Sequence, residues 1–398
     1  MIGAAVYNFS TIFGRKLLWE VMLMRKLAKR LWKRAAALLT VGAVGLTLSA
    51  PPSMVPTAHA GVGDVIGIAV AVGQVSQQRK EIKQGLEAIN NTEEGRQQLF
   101  TDYKKKYGVN TDYTLNQEVQ TVMTNMTKAV GSVDSTIYDK PYLWFINTSV
   151  DINAFCTLGH VMSINTGLLT KITNEDEIAA VIGHEMGHGQ KDHAVKGYMK
   201  YIDRLIALNV GTAAVGGSFL SNLAASIADL HIGAHSTEKL EWEADNLAFE
   251  YMTHTNYNLG ACAAVQQKFY EMFEEHKKGN GLFAKIFNPS DHPKSAKRRD
   301  NYIKKLSTYS GGHVNMKEGT ITINKKLFVT PAETASMSSV ERACFVMGNL
   351  AAAYHNGHNK SDAYVSGNTV YLGAQPIMTI EEGDEAAQVL VDRLNKNK

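Results

Sequence analysis

His184, Glu185 and His188 form an H-E-x-x-H pattern in a segment whose flanks predict a helix. Residues four apart lie on one face of a helix, so both imidazoles could bind one zinc ion. The glutamate beside the first histidine could then act as general base on a water molecule at that ion. The pattern therefore predicts metal-assisted hydrolysis of a peptide bond.

A catalytic zinc also needs a third protein ligand, and keeps a further position for water. Glu241 and Asp245 lie four residues apart on a second predicted helix with apolar neighbours. Glu241 would complete a set of two histidines and one glutamate, and Asp245 would accept the ring N–H of a ligand histidine. A solvated acidic face is the alternative for this run. His193, five residues after His188, is expected to point elsewhere and is interpreted as structural.

The segment 175–188, taken with Glu241-x-x-Ala244-Asp245, resembles metallopeptidase family 48, and in particular its periplasmic, BepA-like members. The resemblance extends over 65–306. It includes Asn153-Ala154-Phe155, the strand and Gly-Leu-Leu of 161–169, and the His-Pro and Arg element of 290–298. After Asn-Ala-Phe-x the family usually has Pro-Gly-Gly, where this chain has Thr157-Leu158-Gly159. Cys156 and His160 are therefore expected near the edge of the cleft.

The resemblance implies a gluzincin-type fold, endopeptidase activity, and one zinc ion (Zn2+) per chain held by His184, His188 and Glu241. It implies Glu185 as the general base and gives Asp245 a catalytic or supporting role. His292 and Arg298 are candidates for stabilising the oxyanion, and the alternative for His292 is a loop histidine beside a proline. The expected fold class is α+β and mainly helical, with the H-E-x-x-H helix and a small edge sheet in the metallopeptidase domain.

The stretch Val161-Met162-Ser163-Ile164-Asn165 alternates and predicts a strand. At the edge of a sheet beside the cleft, such a strand could bind an extended peptide by backbone hydrogen bonds. This mode of binding is mostly blind to sequence, so the target cannot be read from it.

The amino terminus predicts a secretory signal peptide over 1–60. Basic pairs between Arg25 and Arg34 precede an apolar core, 35–48, and Ala58-His59-Ala60 forms a cleavage site. Met24 begins a signal peptide of ordinary form, so 1–23 is interpreted as an over-extended start. The expected location is the periplasm or cell envelope, and an uncleaved membrane anchor is the alternative.

Composition changes once the predicted leader is removed. The formal net charge of the whole chain is +3, and 1–60 carries eight basic residues and one acidic residue. The remaining 338 residues have a net charge of about −4, which gives no argument for binding nucleic acid. Three cysteines remain, and either a Cys262–Cys344 bridge or three unpaired buried thiols is expected.

Two further regions complete the organisation. The apolar, glycine-containing segment 206–230 is expected to form a helical hairpin that covers the cleft or contacts a membrane surface; a true membrane span is the alternative. The metallopeptidase domain is placed at 61–308. A small C-terminal α/β domain follows at 309–398, as a strand-strand-helix unit repeated twice, with four strands in all and a docking or a packing role.

The sequence thus predicts an exported zinc metalloendopeptidase that acts on unfolded or misassembled envelope proteins in quality control. Two alternatives stay open: an envelope assembly factor or chaperone with restricted or latent proteolysis, and a zinc-stabilised scaffold without hydrolysis.

Overall fold

The computed structural model describes residues 77, 79–207, 237–278 and 295–398 of the chain. These residues lie in one compact unit, Gly67–Lys398. The predicted signal peptide, His292 and 208–230 of the predicted hairpin lie outside the described residues. Within the described part, no helix is both long and apolar enough to cross a membrane.

The described part is mainly helical and contains three small sheets, as the sequence predicts. The helices are α1 (79–91), α2 (Glu93–Tyr107), α3 (Tyr113–Val133), α4 (Thr166–Leu169), α5 (Glu175–Gln190), α6 (His193–Ala207), α7 (Glu238–Met252), α8 (Ala261–Lys278), α9 (Ser295–Tyr309), α10 (Ser339–His355) and α11 (Ala387–Asn397). The strands are β1 (Leu143–Asn147), β2 (Ala154–Cys156), β3 (Val161–Asn165), β4 (Val314–Lys317), β5 (Thr320–Ile323), β6 (Lys326–Val329), β7 (Ala363–Ser366), β8 (Thr369–Leu372) and β9 (Gln375–Thr379).

The first sheet corrects the predicted position of one strand. Its order is β1-β3-β2, with β3 parallel to β1 and antiparallel to β2. The stretch 161–165 is a strand, as predicted, but it lies in the centre of the sheet and all five of its residues are buried. The two edge strands are β1 and β2. Strand β2 has three residues and is too short to give a periodic signal in the sequence.

The chain from residue 79 to Tyr107 forms two helices, α1 and α2, which are separated at Thr92. The Thr92 hydroxyl accepts a hydrogen bond from the backbone N–H of Gly95 and so caps the start of α2. A Cβ atom at Gly95 would lie 2.7 Å from the carbonyl oxygen of Ala88. Glycine is therefore required where the two helices approach each other at this bend.

Helices α5 and α7 pack closely because small residues face each other along both. A Cβ atom at Gly187 would lie only 3.0 Å from the carbonyl oxygen of Ala244, and one at Gly183 would lie 3.6 Å from the Cα of Ala248. The two glycines are four residues apart on α5, and the two alanines are four residues apart on α7. The close contact therefore runs along one face of each helix. This packing sets the distance between the H-E-x-x-H helix and Glu241.

The C-terminal region contains six strands, not the four predicted. It consists of two three-stranded antiparallel sheets, β4-β5-β6 and β7-β8-β9, each followed by a helix. The two strands missed, β4 and β7, have four residues each and alternate between buried and more exposed positions. The turn after β4 is formed by Glu318 and Gly319, both with positive φ, which is the backbone of a tight two-residue hairpin.

The two sheet-and-helix repeats share one hydrophobic core with the helices around α5. Helix α10 contacts β4 and β9, and helix α11 contacts β6 and β7, so each helix packs on both sheets. Each repeat contains a matching pair of threonine hydroxyl groups, Thr320 with Thr330 at 3.0 Å and Thr369 with Thr379 at 3.1 Å. The boundary at 308/309 stays a prediction.

The possible Cys262–Cys344 bridge is absent. Cys156, Cys262 and Cys344 are all free and buried, as in the alternative of three unpaired thiols. Burial raises the pKa of all three thiols above the ordinary value, so they behave as small apolar side chains of the core.

Candidate active site

Helix α5 begins at a well-capped turn. The side chain of Asn174 accepts hydrogen bonds from the backbone N–H groups of Asp176 and Glu177, at 2.9 and 3.3 Å. Acidic residues in the first turn also face the positive end of the helix dipole. The helix is buried from Glu177 almost to its end, and this fixes the direction in which His184 and His188 point.

His184, His188 and Glu241 are brought together from α5 and α7. Nε2 of His184 lies 3.1 Å from Nε2 of His188, and each lies 3.4 Å from one carboxylate oxygen of Glu241. All three side chains are at least nine-tenths buried. Among the residues that the structure describes, these three form the one group of histidine, cysteine or carboxylate ligands able to hold a metal ion.

The spacing of these atoms fits zinc. Ligand atoms about 2.0–2.1 Å from a tetrahedral zinc stand about 3.3 Å apart, close to the 3.1 and 3.4 Å measured here. Two imidazole lone pairs and a carboxylate facing one another repel unless a positive charge lies among them. The donor set therefore suits a divalent cation.

Asp245 lies behind His184, as predicted for a partner of a ligand histidine. Its Oδ1 is 3.0 Å from Nδ1 of His184. Arg298 donates to both of its carboxylate oxygens, at 2.5 and 2.8 Å, and the Tyr302 hydroxyl donates to it at 2.8 Å. Burial alone would raise the pKa of Asp245, but Arg298 and His184 hold it well below its usual range. The carboxylate is therefore ionised and fixed in place.

Asp245 and Glu241 together make the pocket attractive to a cation. Burial and the Arg298 guanidinium lower the pKa of His184, but hydrogen bonds to Asp245 and Glu241 outweigh them and raise it to about 9. A guanidinium can only donate. The Nδ1–H of His184 is therefore directed to Asp245 rather than to Arg298, which lies 3.1 Å from the same nitrogen.

His193 does not point away, and this corrects the sequence interpretation. Its Nδ1 lies 2.9 Å from Nδ1 of His188, and its Nε2 lies 3.2 Å from Oε2 of Glu243. The expectation assumed one continuous helix, but α5 ends at Gln190, and Asp192 turns the chain with a φ of 47° before α6 begins. This turn brings the His193 ring into contact with His188.

Glu185 lies beside the ligand set and contacts the edge strand. Its Oε2 accepts a hydrogen bond from the backbone N–H of Cys156, at 2.9 Å, and the side chain is buried. Cys156 is thus at the edge of the site, as expected from the departure at 156–160. No sequence signal links residue 156 to residue 185, because the contact uses a backbone atom.

His160, the other residue expected at the cleft edge, is also buried. Its ring stacks on Tyr142 with 4.5 Å between centroids, and its Nδ1 lies 2.7 Å from the carbonyl oxygen of Lys140. Burial and the nearby Lys140 charge lower the pKa of His160 to about 4. The Tyr142 hydroxyl in turn donates to the carbonyl oxygen of Met186, so this stack supports the C-terminal half of α5.

Residues 114–307 match the family model described as Peptidase family M48. This range includes both ligand helices. Residues 114–307 belong to peptidase family M48.

Three proteins with which the chain shares sequence carry protease names. Metalloprotease LoiP of Escherichia coli K12 is 26% identical over 195 residues, which is 48% of this chain and 72% of that protein. The Beta-barrel assembly-enhancing protease of Yersinia pestis is 24% identical over 208 residues, or 50% of this chain and 42% of that protein. Mitochondrial metalloendopeptidase OMA1 of Arabidopsis thaliana is 28% identical over 117 residues, or 29% of this chain and 23% of that protein.

The M48 assignment confirms the predicted enzyme class, a metalloendopeptidase. Of the site residues predicted from the sequence, the structure brings together His184, Glu185, His188, Glu241 and Asp245. His292 lies outside the described residues. Arg298 contacts Asp245 and the His184 ring rather than an open pocket. His193 was missed as a neighbour of the site, and so was the hydrogen bond from the backbone N–H of Cys156 to Glu185.

Proposed function

We propose that this M48 peptidase is a zinc-dependent endopeptidase of the gluzincin type, with His184, His188 and Glu241 as its zinc ligands. The observation that carries the proposal is the close approach of the three buried side chains: the two Nε2 atoms lie 3.1 Å apart, and each lies 3.4 Å from one of the two carboxylate oxygens of Glu241. A glutamate from a later helix as third ligand is the feature that supports the gluzincin assignment.

The residues around the ligands have separate tasks in the proposed reaction. Zinc acts in such a site as a Lewis acid, making water nucleophilic near neutral pH and polarising a carbonyl group. Glu185 accepts the proton of the attacking water and later delivers it to the leaving amine. Asp245 accepts the Nδ1–H of His184 and holds the ring in the orientation that a ligand needs.

The edge strand β2 offers a place for an extended peptide. The N–H of Asn165 donates to the carbonyl of Asn153, and that of Thr157 to the carbonyl of Val161. Residues 153, 155 and 157 therefore direct their backbone groups toward β3, and Ala154 and Cys156 direct theirs to the other side, where Glu185 lies. A peptide paired along this side would bring its backbone to the general base without demanding particular side chains.

Catalysis can be tested on the purified chain with an unfolded protein such as casein as substrate. We expect cleavage that a chelator removes and added zinc restores. Glu185→Gln should abolish cleavage while zinc remains bound, and Glu241→Ala should lower the zinc content. Cleavage by the Glu185→Gln protein at the parental rate would contradict the mechanism, and parental zinc content in Glu241→Ala would contradict the ligand set.

We further propose that the enzyme is exported by the signal peptide predicted at 1–60 and acts on unfolded or misassembled envelope proteins. The name of the Yersinia pestis relative, Beta-barrel assembly-enhancing protease, supports this substrate class. Amino-terminal sequencing of the protein recovered from the envelope fraction tests the export. Mature protein should begin at Gly61, and a chain that keeps residues 1–60 in the cytoplasm would contradict it.

An assembly factor with restricted proteolysis is the second candidate. The same relative's name refers to assembly as well as to proteolysis, and the repeated C-terminal module, 309–398, is proposed as a docking surface. Binding of an unfolded envelope protein to the Glu185→Gln protein separates the two candidates. Stable binding together with slow cleavage by the parent favours the assembly factor, and fast cleavage favours the protease.

A further inference from the structure

The two ligand histidines are supported by different means on the side opposite the metal pocket. Nδ1 of His184 meets the carboxylate of Asp245 directly, at 3.0 Å. Nδ1 of His188 meets a second imidazole, that of His193, at 2.9 Å. The other nitrogen of His193 lies 3.2 Å from a carboxylate oxygen of Glu243. Two side chains, His193 and then Glu243, thus lie in series behind His188, whereas the carboxylate of Asp245 contacts His184 directly.

The direction of each hydrogen bond in this chain follows from the first one. Nε2 of His188 faces the ligand set, so the ring proton is on Nδ1 when Nε2 binds a metal. That Nδ1–H donates to Nδ1 of His193, which must then be unprotonated. His193 carries its own proton on Nε2 and donates it to Glu243. One arrangement of protons satisfies both bonds, and the carboxylate at the end favours it.

Helix α7 supplies the three carboxylates that complete the ligand set or support the two ligand histidines. Glu241 completes the ligand set, Asp245 lies behind His184, and Glu243 ends the chain behind His188. Polarisation along a chain of hydrogen bonds strengthens each member and raises the basicity of the ligand nitrogen. His193 is 4% exposed, whereas the Glu243 side chain is 39% exposed. The ring is therefore the fixed part of the chain, and Glu243 closes it at the surface.

We propose that His193, oriented by Glu243, is a positioning residue that holds the tautomer and ring orientation of His188 for metal binding. This inference rests on the proposed function, because it needs His188 to be a ligand. His193 acts through His188 and has no contact with substrate in this role.

Four variants of the full chain test the inference. His193→Leu removes both hydrogen bonds. His193→Asn places an amide oxygen near the position of Nδ1 and can still accept from His188. Glu243→Ala removes the carboxylate alone, and Glu250→Ala is the matched control, an exposed glutamate on the same helix that lies outside the site. The probe is zinc(II) alone, competed against a chromophoric chelator, followed by the visible spectrum of the cobalt(II)-loaded protein.

Loss of a partner that orients a metal ligand typically weakens metal binding 10–100-fold. We expect a loss of about this size in His193→Leu, a smaller loss in Glu243→Ala, and recovery of most of the affinity in His193→Asn. The cobalt(II) spectrum should change in His193→Leu and return toward the parental one in His193→Asn. Glu250→Ala should bind zinc like the parent.

Two results would overturn the inference, and a third would overturn the proposed function on which it rests. Parental zinc affinity in both His193→Leu and Glu243→Ala would show that the chain of side chains does not support His188. Equal losses in His193→Leu and His193→Asn would show that packing of the ring, not its hydrogen bond, matters. Absence of zinc binding by the parent would overturn the proposed function itself. If His193→Leu fails to fold, Glu243→Ala gives the decision, because that side chain is partly exposed.

Discussion

The backbone N–H of Cys156 donates a hydrogen bond to Oε2 of Glu185, with 2.9 Å between the two atoms. Cys156 lies on the edge strand β2, and Glu185 lies on the helix that carries two of the proposed ligands. The proposed general base is therefore held by the strand that is proposed to bind the substrate. Any shift of β2 should therefore displace the carboxylate of Glu185.

A proline at position 156 tests this link, because it removes the N–H that donates to Glu185. The hydrogen bonds between β2 and β3 are kept, since the N–H of residue 156 faces away from β3. Proline is tolerated in an edge strand where its nitrogen faces away from the neighbouring strand. We expect Cys156→Pro to lower kcat on the order of 10–100-fold, since small errors in the position of a catalytic group have effects of this size. Zinc content should stay parental.

Cys156→Ala is the control for the loss of the thiol, because alanine keeps the backbone N–H. It should retain most of the parental kcat, with a modest loss of stability from the smaller buried side chain. Equal kcat values for the proline and alanine variants would show that the backbone hydrogen bond does not position Glu185.

Gly187→Ala should separate the two ligand helices. The new Cβ would lie 3.0 Å from the carbonyl oxygen of Ala244, and this backbone atom can move only with α7. Alanine favours the helix by about 1 kcal/mol over glycine, but overpacking costs about 1–3 kcal/mol. We expect a net loss in the free energy of unfolding and weaker zinc binding, measured by denaturant titration and chelator competition.

Gly183→Ala, one turn earlier on the same helix, is the matched control. Its Cβ would meet the flexible end of Met126 at 2.9 Å and the Cα of Ala248 at 3.6 Å. A methionine tip can rotate away, so stability should change less than in Gly187→Ala and zinc affinity should be kept. Equal effects of the two substitutions would argue against the close α5–α7 contact as the cause.

Asp245→Ala should damage both stability and metal binding. It leaves the buried Arg298 guanidinium without its carboxylate, which typically costs about 3–5 kcal/mol. It also removes the acceptor for His184, for which a 10–100-fold loss of metal affinity is expected. Adding Arg298→Met should restore part of the stability of the metal-free protein but not the affinity for zinc. A double variant that recovers both would contradict a role for Asp245 in orienting His184.

The site could be predicted from the sequence where helical spacing determines geometry. His184 and His188 lie on one face because they are four residues apart, and so do Glu241 and Asp245. The helix-to-helix contact that joins the two pairs was carried by the family resemblance. Its physical cause, small residues at 183, 187, 244 and 248, is visible only when both helices are in place.

Other features depend on chain turns and short elements that carry no periodic signal. His193 was misplaced because the end of α5 and the positive φ of Asp192 could not be seen in the sequence. Strand β2 has three residues, too few for an alternating pattern, and the four-residue strands β4 and β7 were missed although their burial alternates. The central position of β3 depends on the topology of the sheet, because β1 and β2 pair with β3 from its two sides.

Lys268 lies between two buried carboxylates that belong to different parts of the fold. Its Nζ is 2.6 Å from Glu177 on α5 and 2.9 Å from Glu341 on α10. Burial, followed in smaller measure by Glu341, raises the pKa of Glu177 to about 7, although Lys268 acts in the opposite direction. The pKa of Glu341 is raised as well. One cation thus serves two carboxylates at the contact between the helix that carries the ligands and the C-terminal module.

This arrangement predicts a stability that falls as pH rises. Between its ordinary pKa of 4.5 and its folded value of about 7, Glu177 binds more proton in the folded than in the unfolded state. The free energy of unfolding must therefore decrease with pH across this window, by on the order of 2–3 kcal/mol, and level off above it. Glu177→Gln stays neutral, so subtracting its pH profile from the parental one isolates the effect. The exposed Glu250→Gln serves as control and should give a flat difference. A parental stability that rises relative to Glu177→Gln between pH 4.5 and 7 would mean that Lys268 outweighs burial at this site.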